Sequence, residues 1–207
     1  MSILDIDKLD WQKMDGLLPA IIQDADNGSV LMLAYMNKEA LETSLSSGRL
    51  TLFSRSRQAL WQKGDTSGNT MAVITIVTDC DSDSILVLVK PAGTACHLGL
   101  PSCFQPATTS KIGFLASLGE VIKARDKLTD SSSYTAQLIK SGVERCAQKM
   151  GEEATETVIA AVAGNREELI SETADLLFHL LVLLQACRVE FYTVIDCLQQ
   201  RHLSSKK

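Results

Sequence analysis

The chain has 207 residues, of which 45% are hydrophobic and 22% charged, a composition typical of a globular protein and not of a disordered one. At roughly 150 residues per domain, this length predicts one large or two small domains. The 25 acidic and 20 basic residues give a net charge of −5. That balance argues against a basic nucleic-acid-binding module and is compatible with a small anionic substrate.

Neither the start of the chain nor its apolar runs predict a targeting or membrane segment. Residues 1–10 lack a basic stretch followed by an apolar run, so we expect no signal peptide. The most apolar run, 176–186, has eleven residues where a bilayer span needs about 20, which predicts a buried helix and no membrane partner. The expected location is the cytoplasm, where thiols stay reduced. The six cysteines therefore suggest metal binding, catalysis or core packing.

Residues 1–110 are predicted to form an α+β domain with a mostly antiparallel sheet. Runs rich in apolar and β-branched residues predict strands over residues 17–24, 29–35, 72–78 and 85–89. The turn at Asn27-Gly28 predicts a hairpin between the first two, because Asn-Gly tolerates the positive φ angles of a tight turn. Asn37 is the expected N-cap of a short helix that ends near Gly48.

Residues 111–207 are predicted to form an all-α domain. The spacing of apolar residues predicts helices over 114–126, 134–163, 166–188 and 191–201. Asn165 followed by Glu168 resembles a capping box. Cys146, Cys187 and Cys197 lie on these helices and are expected in the core. The short polar segment 105–110 is the predicted linker between the two domains.

Alternating aspartates follow one of the predicted strands. Asp79, Asp81 and Asp83 supply hard oxygen ligands of the kind that Mg²⁺ or Ca²⁺ takes. An EF-hand loop is excluded, because its sixth and twelfth positions are Ser84 and Lys90 where it needs Gly and Glu. The alternative interpretation is an acidic surface turn.

Three cysteines of the same domain fit a zinc site. Cys80 lies between two of the aspartates, and Cys96 and Cys103 follow in loops that contain Gly and Pro. Three thiolates suit Zn²⁺ and leave its fourth position to water. His97 is then either a fourth ligand or a general acid or base. The alternative is three buried cysteines beside a hydrogen-bonded core histidine.

The loop of small residues over 63–69 is a candidate phosphate-binding site. Lys63, Thr66 and Ser67 offer an ammonium group and two hydroxyls, and Arg55 adds a second positive charge. The Walker A spacing is absent, so a P-loop nucleotide hydrolase is not predicted. A simple loop and a solvated strand end are the alternatives.

Acidic residues of the C-terminal half recur at helical spacing. Two groups share one side of successive helices: Glu152, Glu153 and Glu156, then Glu172 and Asp175. Like charges at this spacing destabilise a helix unless a cation lies between them. Mg²⁺ is the natural ligand, because it accepts carboxylates and keeps waters and substrate phosphate oxygens. The alternative is two solvated helix faces.

Six segments of the N-terminal half carry a family resemblance: LAYMN (33–37), FSRSR (53–57), LWQKGDTSGN (60–69), DCDSD (79–83), CH (96–97) and SCF (102–104). Together they resemble phosphoribosyl-AMP cyclohydrolase of histidine biosynthesis over residues 15–105, with departures at Asp65 and Leu98. The resemblance implies Mg²⁺ on the three aspartates and Zn²⁺ on the three cysteines. It also implies a homodimer in which the zinc site is shared between chains.

Three segments of the C-terminal half carry a second resemblance: SYT (133–135), KMGEEATE (149–156) and ETADLLFHLL (172–181). They resemble phosphoribosyl-ATP pyrophosphohydrolase, within the MazG-like nucleotide pyrophosphohydrolases. The acidic pattern alone indicates only the wider group, and the Ser-Tyr-Thr start, Lys149 and His179 narrow it. We expect His179 itself to be a core histidine with satisfied hydrogen bonds, and not a catalytic residue.

The two resemblances together imply a bifunctional enzyme acting on phosphoribosyl nucleotides. The C-terminal domain would hydrolyse phosphoribosyl-ATP to phosphoribosyl-AMP and pyrophosphate, with Mg²⁺ on its five carboxylates and Lys149 on phosphate oxygens. Glu153 and Glu156 are its expected catalytic carboxylates. The N-terminal domain would then open the adenine ring with a zinc-activated water, with His97 as the candidate proton shuttle.

Two alternatives to this function stay open at the level of sequence. One is a house-cleaning nucleotide pyrophosphohydrolase fused to a structural zinc module. The other is a non-enzymatic dimeric scaffold in which both metals only stabilise the fold.

Overall fold

The computed structural model describes residues 4–104, 111–128 and 133–205, and the chain divides into two compact units, Met1–Phe114 and Leu115–Lys207. The first unit combines sheets with a helix, and the second is helical. The domain boundary that we place between residues 110 and 111 stays a prediction. The predicted linker, 105–110, lies outside the described residues.

The strands of the first unit form two sheets. In chain order they are β1 (Leu18–Asp24), β2 (Val30–Met36), β3 (Thr51–Ser54), β4 (Ala59–Gln62), β5 (Met71–Thr78) and β6 (Ile85–Pro91). The larger sheet has the order β2-β1-β6-β5. Its β1–β2 and β5–β6 pairs are antiparallel, whereas β1 and β6 are parallel. The sheet is therefore mixed, because the long connection between β1 and β6 lets the chain return in the same direction.

Strands β3 and β4 were not predicted from the sequence. They pair antiparallel as a small separate sheet, with Phe53 opposite Leu60. Each has only four residues, which is too short for a period of two to stand out from chance. Their connection places Arg55 at an exposed turn.

The core of the first unit lies between the larger sheet and helix α1 (Lys38–Ser47). Alternate residues of β1 and β6 point inward and are completely or almost completely buried, among them Leu18, Ile22 and Val87. The predicted caps of α1 are confirmed. The side chain of Asn37 accepts the backbone N–H of Ala40 at 2.8 Å, and Gly48 ends the helix in the left-handed conformation.

The second unit consists of α2 (Lys111–Asp126), α3 (Tyr134–Lys140), α4 (Val143–Ala163), α5 (Arg166–Ala186) and α6 (Phe191–Ser204). The prediction of one helix over 134–163 is wrong, because Gly142 adopts a φ of +96° that interrupts it. The predicted cap of α5 is confirmed. Asn165 accepts the backbone N–H of Glu168 at 3.3 Å and donates to its carboxylate at 2.8 Å.

Helix α5 is less buried than predicted. Only His179, Leu181 and Val182 are buried along it, so the prediction of a buried helix over 176–186 is wrong for the single chain. By length and composition alone α5 is apolar enough to cross a membrane, and 17% of its most apolar window is buried. Cys146 is buried as predicted, whereas Cys187, at the C-cap of α5, and Cys197, on the α6 helix that has no buried residue, are exposed.

Gly64 begins the loop after β4 in a conformation that other residues rarely adopt. Its φ is +90°, and a Cβ atom there would lie 2.4 Å from the backbone of Asn69 and Thr70. Gly68, in the same loop, has a φ of +75°, but a Cβ atom there would meet no atom within 4 Å. The two glycines therefore differ in the space around them and not in their backbone strain.

We predict that Gly64→Ala destabilises the first unit more than Gly68→Ala does. Gly68→Ala should cost about 1 kcal/mol for the left-handed backbone, and Gly64→Ala about 2 kcal/mol more, because backbone atoms must also move. Both tryptophans, Trp11 and Trp61, lie in the first unit, so urea unfolding followed by tryptophan fluorescence reports on it. Equal losses of unfolding free energy in the two variants would contradict the clash.

Candidate metal-binding and catalytic sites

Three predicted metal ligands meet in the turn between β5 and β6. One carboxylate oxygen from each of Asp79, Asp81 and Asp83 lies within 4.8 Å of the other two. The turn is held by Asp79, whose Oδ1 accepts the backbone N–H groups of Asp83 at 3.1 Å and Ser84 at 3.2 Å. Three hard oxygens at this separation are a ligand set that Mg²⁺ takes.

A lysine that the sequence analysis missed reaches the same aspartates. The Lys13 ammonium donates to Asp81 Oδ2 at 2.9 Å and also pairs with Asp83 Oδ2. Hydrogen bonds to Asp83 and Asp81 raise the pKa of Lys13, and the ammonium in turn lowers the pKa of Asp83. Nothing local in the sequence indicates this contact, because Lys13 precedes Asp81 by 68 residues.

The three predicted zinc ligands come together only in part. Cys96 and Cys103 are neighbours, and burial together with the adjacent Cys96 thiol raises the pKa of Cys103. Among the described residues, Cys80 does not complete a set of three ligand atoms within 4.8 Å with them. Its Sγ lies instead in the aspartate turn, 4.0 Å from Asp81 Oδ1.

Two backbone hydrogen bonds fix the loops that carry the adjacent thiols. The N–H of Cys96 donates to the carbonyl of Leu100 at 3.0 Å, and the N–H of Cys103 donates to the carbonyl of Leu31 at 2.8 Å. The pair is therefore tied both to its own loop and to strand β2. His97 is exposed beside it, with Nδ1 3.9 Å from the Cys96 Sγ.

The residues predicted to bind phosphate are separated into two roles. Lys63 donates to the carbonyl of Ala95 at 2.6 Å, so it braces the loop that carries Cys96. Thr66 and Ser67 are exposed at the tip of the loop. The Arg55 guanidinium lies 3.8 Å from the ring centroid of Tyr35, a cation–π contact that orients it.

The second unit holds its own carboxylate cluster. Carboxylate oxygens of Glu153 and Glu156 on α4 and of Glu172 on α5 all lie within 4.8 Å of one another. Burial and the neighbouring carboxylates, first among them Glu156, raise the pKa of Glu172. Asp175 contributes to the same shift from a more exposed position on α5. The geometry brings together three of the five predicted acidic ligands.

Lys149 joins this cluster to the fourth carboxylate. Its ammonium lies 2.9 Å from Glu152 Oε2 and 2.9 Å from Glu153 Oε1. These hydrogen bonds raise the pKa of Lys149, and Lys149 lowers the pKa of Glu152. Glu152 therefore lies beside the cluster and is paired with a lysine.

His179 lies under the carboxylate cluster. Its Nε2 is 3.7 Å from Glu153 Oε1, and the rings of Phe178 and Tyr134 approach it edge-on. The side chain is buried as predicted, and burial lowers its pKa. The expectation of satisfied hydrogen bonds is wrong, because the buried Nδ1 has no partner among the described residues.

Comparison with known families gives one match for each unit. The family model described as phosphoribosyl-AMP cyclohydrolase matches residues 32–105. The family model described as phosphoribosyl-ATP pyrophosphohydrolase matches residues 115–202. The first match includes the aspartate turn and all three predicted zinc ligands, and the second includes the whole glutamate cluster.

Curated relatives match the chain over nearly its full length. It is 51% identical to the histidine biosynthesis bifunctional protein HisIE of Yersinia pestis over 197 residues, which cover 95% of this chain and 96% of the relative. The identity to the HisIE proteins of Escherichia coli K12 and Campylobacter jejuni is 50% in each case. These alignments cover 94% and 95% of this chain, and 96% and 95% of the respective relatives.

The raised pKa of Glu172 predicts a pH-dependent effect of removing its charge. Above that pKa the carboxylate is ionised and repelled in the folded state, so Glu172→Gln should raise the melting temperature in EDTA at neutral pH. The difference should decline as the pH falls below the raised pKa and vanish below the ordinary glutamate pKa, because Glu172 is then neutral in both the folded and the unfolded state. Circular dichroism at 222 nm, dominated by helices, measures the transition.

The matched control is Glu167→Gln, an exposed glutamate in the first turn of the same helix. Its charge interacts favourably with the helix N-terminus, so this variant should not gain stability. A Glu172→Gln variant that melts below the wild type at neutral pH in EDTA would contradict the repulsion.

Proposed function

Because the chain belongs to the bifunctional histidine-biosynthesis proteins of the HisIE family, we propose that its two ligand clusters are the sites of its two hydrolytic reactions. The family activities are those of a phosphoribosyl-AMP cyclohydrolase and a phosphoribosyl-ATP pyrophosphohydrolase, so the chain is a hydrolase. The family matches over both units argue against the two alternatives that the sequence left open. These were a house-cleaning enzyme with a structural zinc module and a non-enzymatic scaffold.

One observation carries the proposal: each unit has its own cluster of three carboxylates with ligand atoms within 4.8 Å. The donor sets fit the metals. Carboxylate oxygens suit Mg²⁺ in both units, and the adjacent thiols of Cys96 and Cys103 suit Zn²⁺ in the first. Close carboxylates repel one another, and a divalent cation bound between them would offset that repulsion.

In the second unit we assign Mg²⁺ to Glu153, Glu156 and Glu172, with Glu152 and Asp175 at the edge of the cluster. Bound Mg²⁺ neutralises phosphate charge and orients the reacting groups. Lys149, between Glu152 and Glu153, is placed to pair with a phosphate oxygen of phosphoribosyl-ATP.

Cleavage between the α- and β-phosphates consumes one water and releases pyrophosphate. The attacking water must lose a proton, and Glu156 is the exposed carboxylate of the cluster that can accept it. Glu153, buried and paired with Lys149, is better placed to hold the metal than to exchange protons with solvent. The two predicted catalytic carboxylates thus receive different roles.

In the first unit we assign Zn²⁺ to Cys80, Cys96 and Cys103 and Mg²⁺ to the three aspartates. Zinc held there would lower the pKa of a bound water to about 7 and so supply a nucleophile at neutral pH. Opening the adenine ring breaks a C–N bond, and the leaving nitrogen must gain a proton. His97, exposed next to the thiol pair, is our candidate to deliver it.

We assign the substrate phosphate in the first unit to Arg55, Thr66 and Ser67. Arg55 is oriented by Tyr35 and remains exposed, so its guanidinium is available to an anion. Thr66 and Ser67 offer hydroxyls at the exposed loop tip. Lys63 acts mainly by bracing the Cys96 loop, to which it is hydrogen-bonded through Ala95.

We also propose a homodimer with a zinc site shared between chains, as the family resemblance implies, and the separation of Cys80 from the other two cysteines supports it. Two thiols are too few for a stable zinc site, and Cys80 of the same chain does not join Cys96 and Cys103 among the described residues. A second copy brings the missing ligand if its aspartate turn docks against the thiol pair. The proposed site is then incomplete in a monomer.

The second unit also exposes apolar surface that fits self-association. Six large side chains of α4 and α5 are between 40% and 85% exposed: Val143, Val158, Ile159, Val162, Ile170 and Leu177. Large exposed apolar side chains on two neighbouring helices are normally covered by a partner. We also assign the protein to the cytoplasm, where its six free cysteines would stay reduced.

The assignment predicts which product each variant accumulates from phosphoribosyl-ATP, followed by mass spectrometry with Mg²⁺ and Zn²⁺ present. Glu153→Gln should release pyrophosphate on the order of 100-fold more slowly, because it loses a metal ligand. The same variant should still open the ring of added phosphoribosyl-AMP, because the first unit is intact.

The control is Glu120→Gln, which removes an exposed glutamate of α2 that we place in neither site. It should process phosphoribosyl-ATP like the wild type. Wild-type protein that releases no pyrophosphate, or a Glu153→Gln variant that releases it at the wild-type rate, would overturn the assignment of the second unit.

A further inference from the structure

The segment before β1 is folded onto the aspartate turn. Leu9 is buried in the core of the first unit, and the N–H of Asp10 donates to the carbonyl of Ser82 at 2.8 Å. Asp10 Oδ1 accepts the N–H of Lys13 at 3.2 Å, and the N–H of Gly16 donates to the carbonyl of Trp11 at 2.6 Å. The fold therefore delivers Lys13 to the turn at a fixed position.

The oxygens of the turn are divided between two tasks. The Oδ1 atoms of Asp79 and Asp83 hold the turn itself, because they accept hydrogen bonds from its backbone and from the Ser84 hydroxyl. The Oδ2 atoms of Asp81 and Asp83 accept the Lys13 ammonium. The ammonium thus binds oxygens that are not used to build the turn, and these are the oxygens open to a cation.

The contact of Lys13 with the aspartates differs from an isolated surface ion pair, which contributes little to stability. Here one ammonium serves two carboxylates of a three-carboxylate cluster, and its own segment is tethered to that cluster by Asp10. Lys8 and Lys38 of the same unit each pair with a single exposed aspartate. The position of Lys13 is therefore specific to the cluster.

This inference rests on the proposed function of the aspartate cluster as a Mg²⁺ site. We propose that the Lys13 ammonium competes with Mg²⁺ for the carboxylate oxygens of that cluster. The Lys13 ammonium and a divalent cation take the same oxygens of Asp81 and Asp83, so binding of the metal displaces the lysine side chain. The negative charge of the clustered aspartates is then offset in both states, in part by the ammonium in one and by the metal in the other. It also lowers the affinity for the metal, because the ammonium must first leave.

Displacement of Lys13 can be measured directly as reactivity of its amine. Zinc-loaded full-length protein is treated with an acylating reagent at increasing Mg²⁺, and each lysine is quantified by peptide mass spectrometry. Lys13 should react about threefold to tenfold faster at saturating Mg²⁺, the range expected for loss of two exposed ion pairs. Lys38, paired with Asp7 away from the cluster, should react at a constant rate.

Competition is measured as Mg²⁺ affinity by calorimetry, with Glu153→Gln and Glu156→Gln introduced to silence the second cluster. In that background Lys13→Met should bind Mg²⁺ about threefold to tenfold more tightly, because no ammonium has to leave. Lys38→Met should bind Mg²⁺ with unchanged affinity. Constant Lys13 reactivity at saturating Mg²⁺, or an unchanged affinity in Lys13→Met, would overturn the proposal.

A third variant separates failure of this inference from failure of the metal site itself. Asp79→Asn keeps the Oδ1 acceptor that holds the turn, removes one charged metal ligand and leaves both partners of Lys13 in place. Asp79→Asn should weaken Mg²⁺ binding and shift the Lys13 response to higher Mg²⁺. If neither Lys13→Met nor the wild-type cluster binds Mg²⁺, the metal assignment itself falls, and this inference falls with it.

Discussion

Three carboxylates held within 4.8 Å repel one another, and both units of this chain must oppose that repulsion by local means. In the first unit, backbone N–H groups of the turn bind Asp79, and Lys13 binds the other two aspartates. In the second, Lys149 neutralises part of the charge, and the raised pKa of Glu172 records the remainder. In each unit, the surrounding fold therefore opposes the mutual repulsion of the clustered carboxylates.

The two units solve this problem with different secondary structure. The six-residue connection between the antiparallel strands β5 and β6 concentrates the aspartates, so the first cluster depends on one turn and on a segment tethered to it. The glutamates instead come from two packed helices, where spacings of three and four residues place carboxylates on facing sides. The second cluster therefore depends on the contact between α4 and α5, which the turn at Gly164 and the Asn165 cap establish.

Sequence reasoning succeeded where ligands lie close along the chain and failed where distant segments meet. The alternation of Asp79, Asp81 and Asp83 and the helical spacing of Glu153 and Glu156 are local patterns, and the structure brings the members of each pattern together. Lys13 has no such pattern, because only the tertiary fold brings it to the turn. The exposure of α5 was not predicted for a similar reason. An apolar sequence does not reveal whether its own chain or another chain covers it.

The central claim is that one chain supplies only part of its zinc site. Refolding Cys80→Ser together with Cys103→Ser should restore about a quarter of the wild-type ring-opening activity, because half of the mixed dimers are heterodimers with one intact site each. The control mixture, Cys96→Ser with Cys103→Ser, should restore none, because both variants lack a ligand from the same side. No recovery in the first mixture, or equal recovery in both, would contradict a site shared between chains.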